Sequence, residues 1–237
     1  MKEVLVVQHT PIETLGTIAE ALPSRGFGFR YVRTFADEPV PPALDDKAGL
    51  ILMGGPMGVY EQERYPFLRD EIRLIASALT LERPILGVCL GSQLLAAALG
   101  AEVKKGKQKE LGWHEVTLFP TAADDPLFSG VPAKFCPFHW HGDVFSLPNQ
   151  AVALAASEWT NYQAFRYGKN AYGLLFHLEV TAPQISQMLT EFADELREAG
   201  GQATEVTNQV PQRLPALAAI AEQVFGRWAA GLEEATN

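Results

Sequence analysis

One nucleophile between two glycines, at a place where a strand must turn into a helix, constrains this chain more than any other feature. Gly87-Val88-Cys89-Leu90-Gly91 follows the apolar run Pro84-Ile85-Leu86, which reads as a buried strand. It precedes Leu94-Leu95-Ala96-Ala97-Ala98-Leu99, which reads as a helix closed by Gly100. A strand–nucleophile–helix turn of the form Gly-x-Cys-x-Gly is an elbow, and the glycines serve it physically. So tight a turn strains the backbone of the nucleophile, and side chains on its neighbours would collide. The cysteine falls at a helix N-terminus, where free N–H groups and the positive end of the dipole favour thiolate over thiol.

The elbow belongs to a longer alternation. Val4–Gln8, Phe27–Val32 and Leu50–Met53 are strand candidates, the last running into Gly54-Gly55-Pro56. Thr10-Pro11-Ile12-Glu13 has the form of a capping box with proline at the first helical position. Leu68, Ile72, Ile75 and Leu79 recur at the spacing of one buried helix face. Apolar runs separated by amphipathic helices predict a parallel sheet covered on both sides. Further on, Trp113–Phe119, Lys134–Trp140, Ala151–Ala156 and Ala171–Phe176 read as strands with short links, hence a mixed or antiparallel region. From Ala182 the pattern is helical. Ile185, Met188, Leu189, Phe192 and Leu196 mark one face and Leu214, Leu217, Ala221, Val224 and Trp228 another, with a linker containing Gly200, Gly201 and Pro211 between them. The expected architecture is a single α/β domain over residues 1–237, with helices of 182–237 docked on it.

Composition removes several functions. A formal net charge of -9 argues against a nucleic-acid partner, which needs clustered Lys and Arg. The short cluster Lys104-Lys105-Gly106-Lys107 reads as a solvated hairpin. No apolar stretch has the length of a membrane span, and Met1-Lys2-Glu3 leads straight into a strand. Two cysteines are too few for a disulfide framework, so a reduced, cytoplasmic setting is expected. Cys136 sits in an apolar run and reads as a packed core thiol.

A cysteine nucleophile needs a base and a group that orients the base. Of five histidines, His177 follows a strand candidate and has Glu179 two positions on, on the same side of extended backbone. The carboxylate can then fix the imidazole tautomer and stabilise the imidazolium. The chain order is Cys, His, Glu; α/β-hydrolases run nucleophile, acid, His, so that fold is disfavoured. Main-chain N–H groups at Leu90 and in the Met53–Met57 glycine turn are candidate donors to an oxyanion.

Taken in order, Gly54-Gly55-Pro56, the Gly87–Gln93 elbow, Leu111-Gly112-Trp113, His139-Trp140-His141-Gly142-Asp143, Gln163-Ala164-Phe165 and Phe176-His177-Leu178-Glu179 resemble the class I, triad-type glutamine amidotransferases. The similarity is to free-standing members akin to the glutaminase domain of GMP synthase. It spans about residues 50 to 181, and more loosely the whole chain. The resemblance implies a flavodoxin-like fold. It implies that Cys89 attacks the side-chain amide of glutamine, giving a γ-glutamyl thioester and ammonia, with His177 moving protons and Glu179 orienting it. It also implies that the N–H groups of Gly55 and Leu90 hold the oxyanion, and that Gln93, Trp140, Gly142 and Asp143 bind the substrate. No metal or organic cofactor is implied for this half-reaction. Many members carry His-Pro-Glu where this chain has His177-Leu178-Glu179, and glutamine in place of Leu175; neither change removes a triad group. No ATP-pyrophosphatase segment and no glycine–lysine phosphate loop appear, so an ammonia-accepting synthase is expected on a separate chain. A γ-glutamyl peptidase or hydrolase with the same triad, and a non-catalytic regulatory subunit keeping the fold, are the alternatives. His139, His141 and Asp143 could be read as metal ligands, but His114 lacks supporting spacing and the resemblance already accounts for the segment.

Overall fold

The computed structural model describes residues 2–234. Strands β1 (Glu3–Gln8), β2 (Gly28–Arg33), β3 (Gly49–Leu52) and β4 (Ile85–Val88) alternate with helices α1 (Ile18–Ser24), α2 (Phe67–Thr80) and α3 (Leu90–Ala98). There follow β5 (Val103–Trp113), β6 (Val116–Leu118), β7 (Lys134–Phe135), β8 (Phe138–Phe145), β9 (Val152–Ser157), β10 (Ala164–Tyr167) and β11 (Ala171–Leu174). Helices α4 (Ala182–Glu191), α5 (Ala193–Glu198) and α6 (Ala203–Glu234) close the chain.

Nine strands make one sheet in the order β2-β1-β3-β4-β11-β10-β9-β6-β7. The first five are parallel, and the rest extend the same sheet antiparallel. Strand alternation explains both buried faces. Val4 and Val6 of β1 face a core shared with Ile18 and Leu22 of α1 and Val224 and Trp228 of α6. Leu5 and Val7 face the opposite core, shared with Leu74 and Ile75 of α2 and Leu94 and Leu95 of α3. Strands β5 and β8 form a separate antiparallel ribbon whose register shifts between Lys105 and Glu110. Among the described residues no helix is long and apolar enough to cross a membrane.

Several local expectations are corrected. No helix starts at Thr10: the Glu13 N–H does donate to Thr10 Oγ1, at 3.3 Å, but α1 begins only at Ile18. Tertiary packing takes Glu13 inward instead of letting it cap a helix. The expected strand Trp113–Phe119 is two strands broken at His114-Glu115, and Lys134–Trp140 is broken at Cys136-Pro137, where proline cannot donate to a ladder. Cys136 therefore sits half-buried in a link, not in a core strand. Pro211 lies inside α6, not in a linker. An interior proline forfeits a backbone bond at about 3 kcal/mol, and apolar anchors on both sides, Val206 before and Leu217 to Trp228 after, hold the helix together across it.

Candidate active site

The site forms at the carboxyl ends of β1, β3, β4 and β11, four neighbouring strands of the parallel sheet, the usual place for ligands in open α/β folds. Cys89 leaves β4 with φ 50° and ψ -110°, and α3 begins at the next residue. The two flanking glycines are sterically obligatory: a Cβ on Gly87 would stand 2.4 Å from the Gly91 carbonyl oxygen, and one on Gly91 would stand 2.1 Å from that of Leu52. The elbow inferred from the spacing is the conformation the chain adopts.

His177 follows β11. Its backbone exchanges two hydrogen bonds with Phe138 at the start of β8, of 2.8 and 3.3 Å, which fixes the ring's position. The Nδ1–H donates to Glu179 Oε1 at 2.6 Å, and both side chains are buried. Nε2 is buried without a hydrogen-bond partner, and the ring lies near enough to the Cys89 thiol to influence its charge. The thiol S–H itself points at the Trp140 carbonyl oxygen, 3.6 Å away. Burial opposes the imidazolium, yet the Glu179 carboxylate and the Cys89 sulfur outweigh it and raise the His177 pKa well above its ordinary value. Burial raises the thiol's pKa, and His177 pulls it back only in part. Desolvation thus works against the thiolate that a helix N-terminus favours.

A cavity of about 450 Å³ opens over Cys89, bounded among others by Gly55, Gln93, Trp140, Gly142 and Asp143. Leu90 is the first residue of α3, so its N–H has no acceptor within the helix. A Cβ placed on Gly55 would lie 3.0 Å from Leu90 Cδ2, so the two candidate oxyanion donors are neighbours. Gln93 Nε2 donates to the Asp143 carbonyl at 3.1 Å, tying α3 to β8. Trp140 donates its indole N–H to Glu195 of α5 at 3.0 Å, whereas Trp113 donates to the Val206 carbonyl and does not line the cavity. Lys105 and Lys107, read as a solvated hairpin, are exposed on β5 but also border the cavity.

Two participants escape the sequence. Glu13 is buried against the glycine turn, leaving no room for a Cβ on Gly54, and it borders the cavity. Burial, then the nearby Glu179 charge, raises its pKa against the pull of His177 and His9. His9, after β1, donates Nδ1–H to the Gly54 carbonyl at 2.9 Å, and its Nε2 meets both oxygens of Glu71 at 2.9 and 3.0 Å. Both members of that pair are fully buried, and Glu71 raises the His9 pKa although burial opposes it. No spacing rule links residues 9 and 71; Glu71 does stand on the face of α2 that also carries Leu68 and Ile75.

A sequence model described as glutamine amidotransferase class-I matches residues 14–196. The chain belongs to that family. It is 34% identical over 198 residues to the glutamine amidotransferase-like protein YfeJ of Salmonella typhimurium, covering 82% of this chain and 83% of that one. It is 36% identical over 150 residues to the glutamine-hydrolysing GMP synthase of Thermosipho melanesiensis, covering 62% of this chain but 27% of the synthase. Among solved structures, a glutamine amidotransferase of Thermotoga maritima superposes with TM-score 0.87 at 34% identity, covering 96% of this chain and 98% of the other. One of Methylobacillus flagellatus superposes with TM-score 0.90 at 29% identity, covering 98% and 95%. The class I amidotransferase fold therefore extends over nearly all of the described chain.

Proposed function

We propose that this amidotransferase hydrolyses glutamine through a Cys89 γ-glutamyl thioester. The observation that supports the reading is a relay of side chains: Cys89 borders the cavity at the carboxyl edge of the sheet, it interacts with His177, and His177 Nδ1 is held by Glu179. The thiol keeps its proton until substrate arrives, because burial opposes a free thiolate. Glu179 and the charge that develops on the Cys89 sulfur together favour the imidazolium, so the proton passes to His177 as the sulfur gives it up and adds to the amide carbon. The N–H groups of Gly55 and Leu90 stabilise the oxyanion, and protonated His177 returns the proton to the departing ammonia. Water then attacks the thioester, giving glutamate and the free thiol. Gln93 holds the Asp143 carbonyl in place, and with Trp140 and Gly142 these residues bind the α-amino acid end of the substrate. The ammonia serves an acceptor enzyme on a separate chain.

A second reading keeps the triad and changes the substrate. A cavity of about 450 Å³ lies within the range, about 300–1,000 Å³, of clefts that enclose drug-sized ligands. Lys105, Lys107 and Lys109 border it, so a γ-glutamyl peptide with a carboxylate beyond the scissile amide also fits. Ammonia release from glutamine, compared with amine release from γ-glutamyl dipeptides, tests both readings. Wild type is expected to release ammonia and to be labelled at Cys89 by a glutamine-mimicking electrophile, and Cys89→Ala to do neither. Equal labelling of wild type and Cys89→Ala overturns the proposal; strong preference for dipeptides selects the second reading.

A further inference from the structure

Next to the cavity, across the β5–β8 ribbon, lies a second polar cluster that this chemistry does not use, although one member, His141, also borders the cavity. Glu110 of β5 pairs directly across the ribbon with His141 of β8, and His139 stands two residues along on the same face. All three side chains are buried. His139 Nδ1 lies 3.3 Å from His141 Nε2, which lies 3.6 Å from Glu110 Oε2, and one potential ligand atom from each residue falls within 4.8 Å of the others.

We propose that Glu110, His139 and His141 form a binding site for a divalent transition-metal ion of the zinc type. Zinc bonds of about 2.0–2.2 Å in tetrahedral geometry place neighbouring ligand atoms about 3.3–3.5 Å apart, which matches the 3.3 Å between His139 Nδ1 and His141 Nε2. Imidazole and carboxylate are the donors such ions accept. Thr160 Oγ1 and Gln163 Nε2 donate to Glu110 Oε2 at 2.5 and 2.8 Å and orient the carboxylate; Gln163 Nε2 also lies 3.4 Å from His141 Nε2, so an ion takes the free carboxylate oxygen and displaces that amide from the imidazole. That free oxygen, Glu110 Oε1, is buried without a partner, and no Lys or Arg pairs with Glu110 among the described residues. A cation supplies the missing charge. A separate cavity of about 350 Å³, bounded by Glu110, His114, Ser157 and Trp159, offers a route that avoids the Cys89 cavity, and water completes the coordination.

The ligands also explain what the ion does for the rest of the molecule. Trp140, whose carbonyl receives the Cys89 S–H, lies between the two histidines, and Phe138, which is bridged to the His177 backbone, precedes them. Clamping this stretch of β8 to β5 fixes the strand against which both sulfur and imidazole are set.

The test uses tag-free full-length protein, stripped with chelator, titrated with Zn²⁺ by calorimetry and with Co²⁺ by visible absorption. One saturable equivalent is expected, with tetrahedral Co²⁺ bands that vanish when Zn²⁺ is added. Zn²⁺ should raise the melting temperature of wild type and not of Glu110→Gln, whose affinity should fall at least about tenfold. Cys89→Ala should bind like wild type. Absence of saturable binding, undiminished binding in both Glu110→Gln and His141→Gln, or binding lost in Cys89→Ala each overturns the proposal. The wild-type Co²⁺ spectrum reports on the donors without any variant: tetrahedral bands with no sulfur-to-cobalt charge transfer are expected, and a strong charge-transfer band, which would place the ion on a cysteine, overturns the proposal even where a substitution prevents folding.

Discussion

Glu13 and Glu179 are two buried carboxyl groups near one thiol, and their environments separate their tasks. Glu179 accepts the His177 Nδ1–H at 2.6 Å, whereas Glu13 lies against Gly54, beside the nucleophile, with its pKa raised first by burial. Glu179→Gln keeps the shape but removes the charge that sustains the imidazolium and can reverse the ring tautomer. By analogy with the carboxylate of a serine-protease triad, kcat is expected to fall by about 10⁴, with KM little changed. A fall below tenfold in steady-state glutamine hydrolysis would mean that Glu179 merely packs. Charge on Glu13 raises the pKa of Cys89, so Glu13→Gln should move the thiol's titration downward. Alkylation of Cys89 by iodoacetamide as a function of pH reads this directly; an unchanged or upward midpoint would show that Glu13 carries no charge the sulfur senses. The grouping of Cys89, His177 and Glu179 is legible because each of the three lies in a short motif. Glu13 is not, because its local pattern, Thr-Pro-Ile-Glu, is that of a helix start, and only the path of the chain after β1 turns it into the site.

The elements differ in how much of themselves the pattern reveals. Parallel strands buried on both sides announce themselves as apolar runs, so β1, β3 and β4 are legible to within two residues of their observed bounds. The ribbon is not: β5 is exposed, basic and interrupted by a register shift, so its pairing with β8 leaves no hydrophobic periodicity to read. The ribbon nevertheless supplies Trp140, Gly142 and Asp143 to the cavity and Glu110 to the cluster beside it. The glycine turn after β3 depends likewise on a contact invisible in the spacing, the His9–Glu71 pair that joins β1 to α2 and holds the Gly54 carbonyl. His9→Gln leaves Glu71 buried without its counter-charge and is expected to cost about 3–5 kcal/mol near neutral pH. The folded pKa of His9 lies above the unfolded value of about 6.5. Its contribution is therefore complete below that value and disappears as pH rises through the folded pKa. The stability gap between wild type and His9→Gln, measured by denaturant unfolding at a series of pH values, should narrow on the alkaline side. A gap that widens with pH would mean that His9 is buried neutral.

The molecule as a whole rests on two cores, one on each side of the sheet, and α6 belongs to the first of them. Trp228 is buried beneath the start of β3, where a Cβ on Gly49 would meet its ring at 3.6 Å, and Val224, Phe225 and Leu232 extend the same contact. At the other end of the helix, the Val206 carbonyl accepts the Trp113 indole N–H at 3.1 Å, linking α6 to the ribbon. A helix secured at both ends to parts of the fold that build the cavity is expected to unfold with them, so residues 1–237 should behave as one domain. Trp228→Ala should cost about 3–5 kcal/mol, equivalent to a melting temperature roughly 6–20 °C lower, while calorimetry still shows one transition. A second transition, or loss of α6 helicity without loss of the near-ultraviolet signal from the ribbon tryptophans, would make α6 a separately folding appendage. Because Trp228 packs under Gly49 at the amino end of β3 whereas the site lies at the carboxyl ends of the strands, glutamine hydrolysis by the variant well below its melting temperature should match wild type. A fall in kcat there would mean that packing of α6 sets the geometry of the ribbon, and through it the position of Trp140 over the thiol.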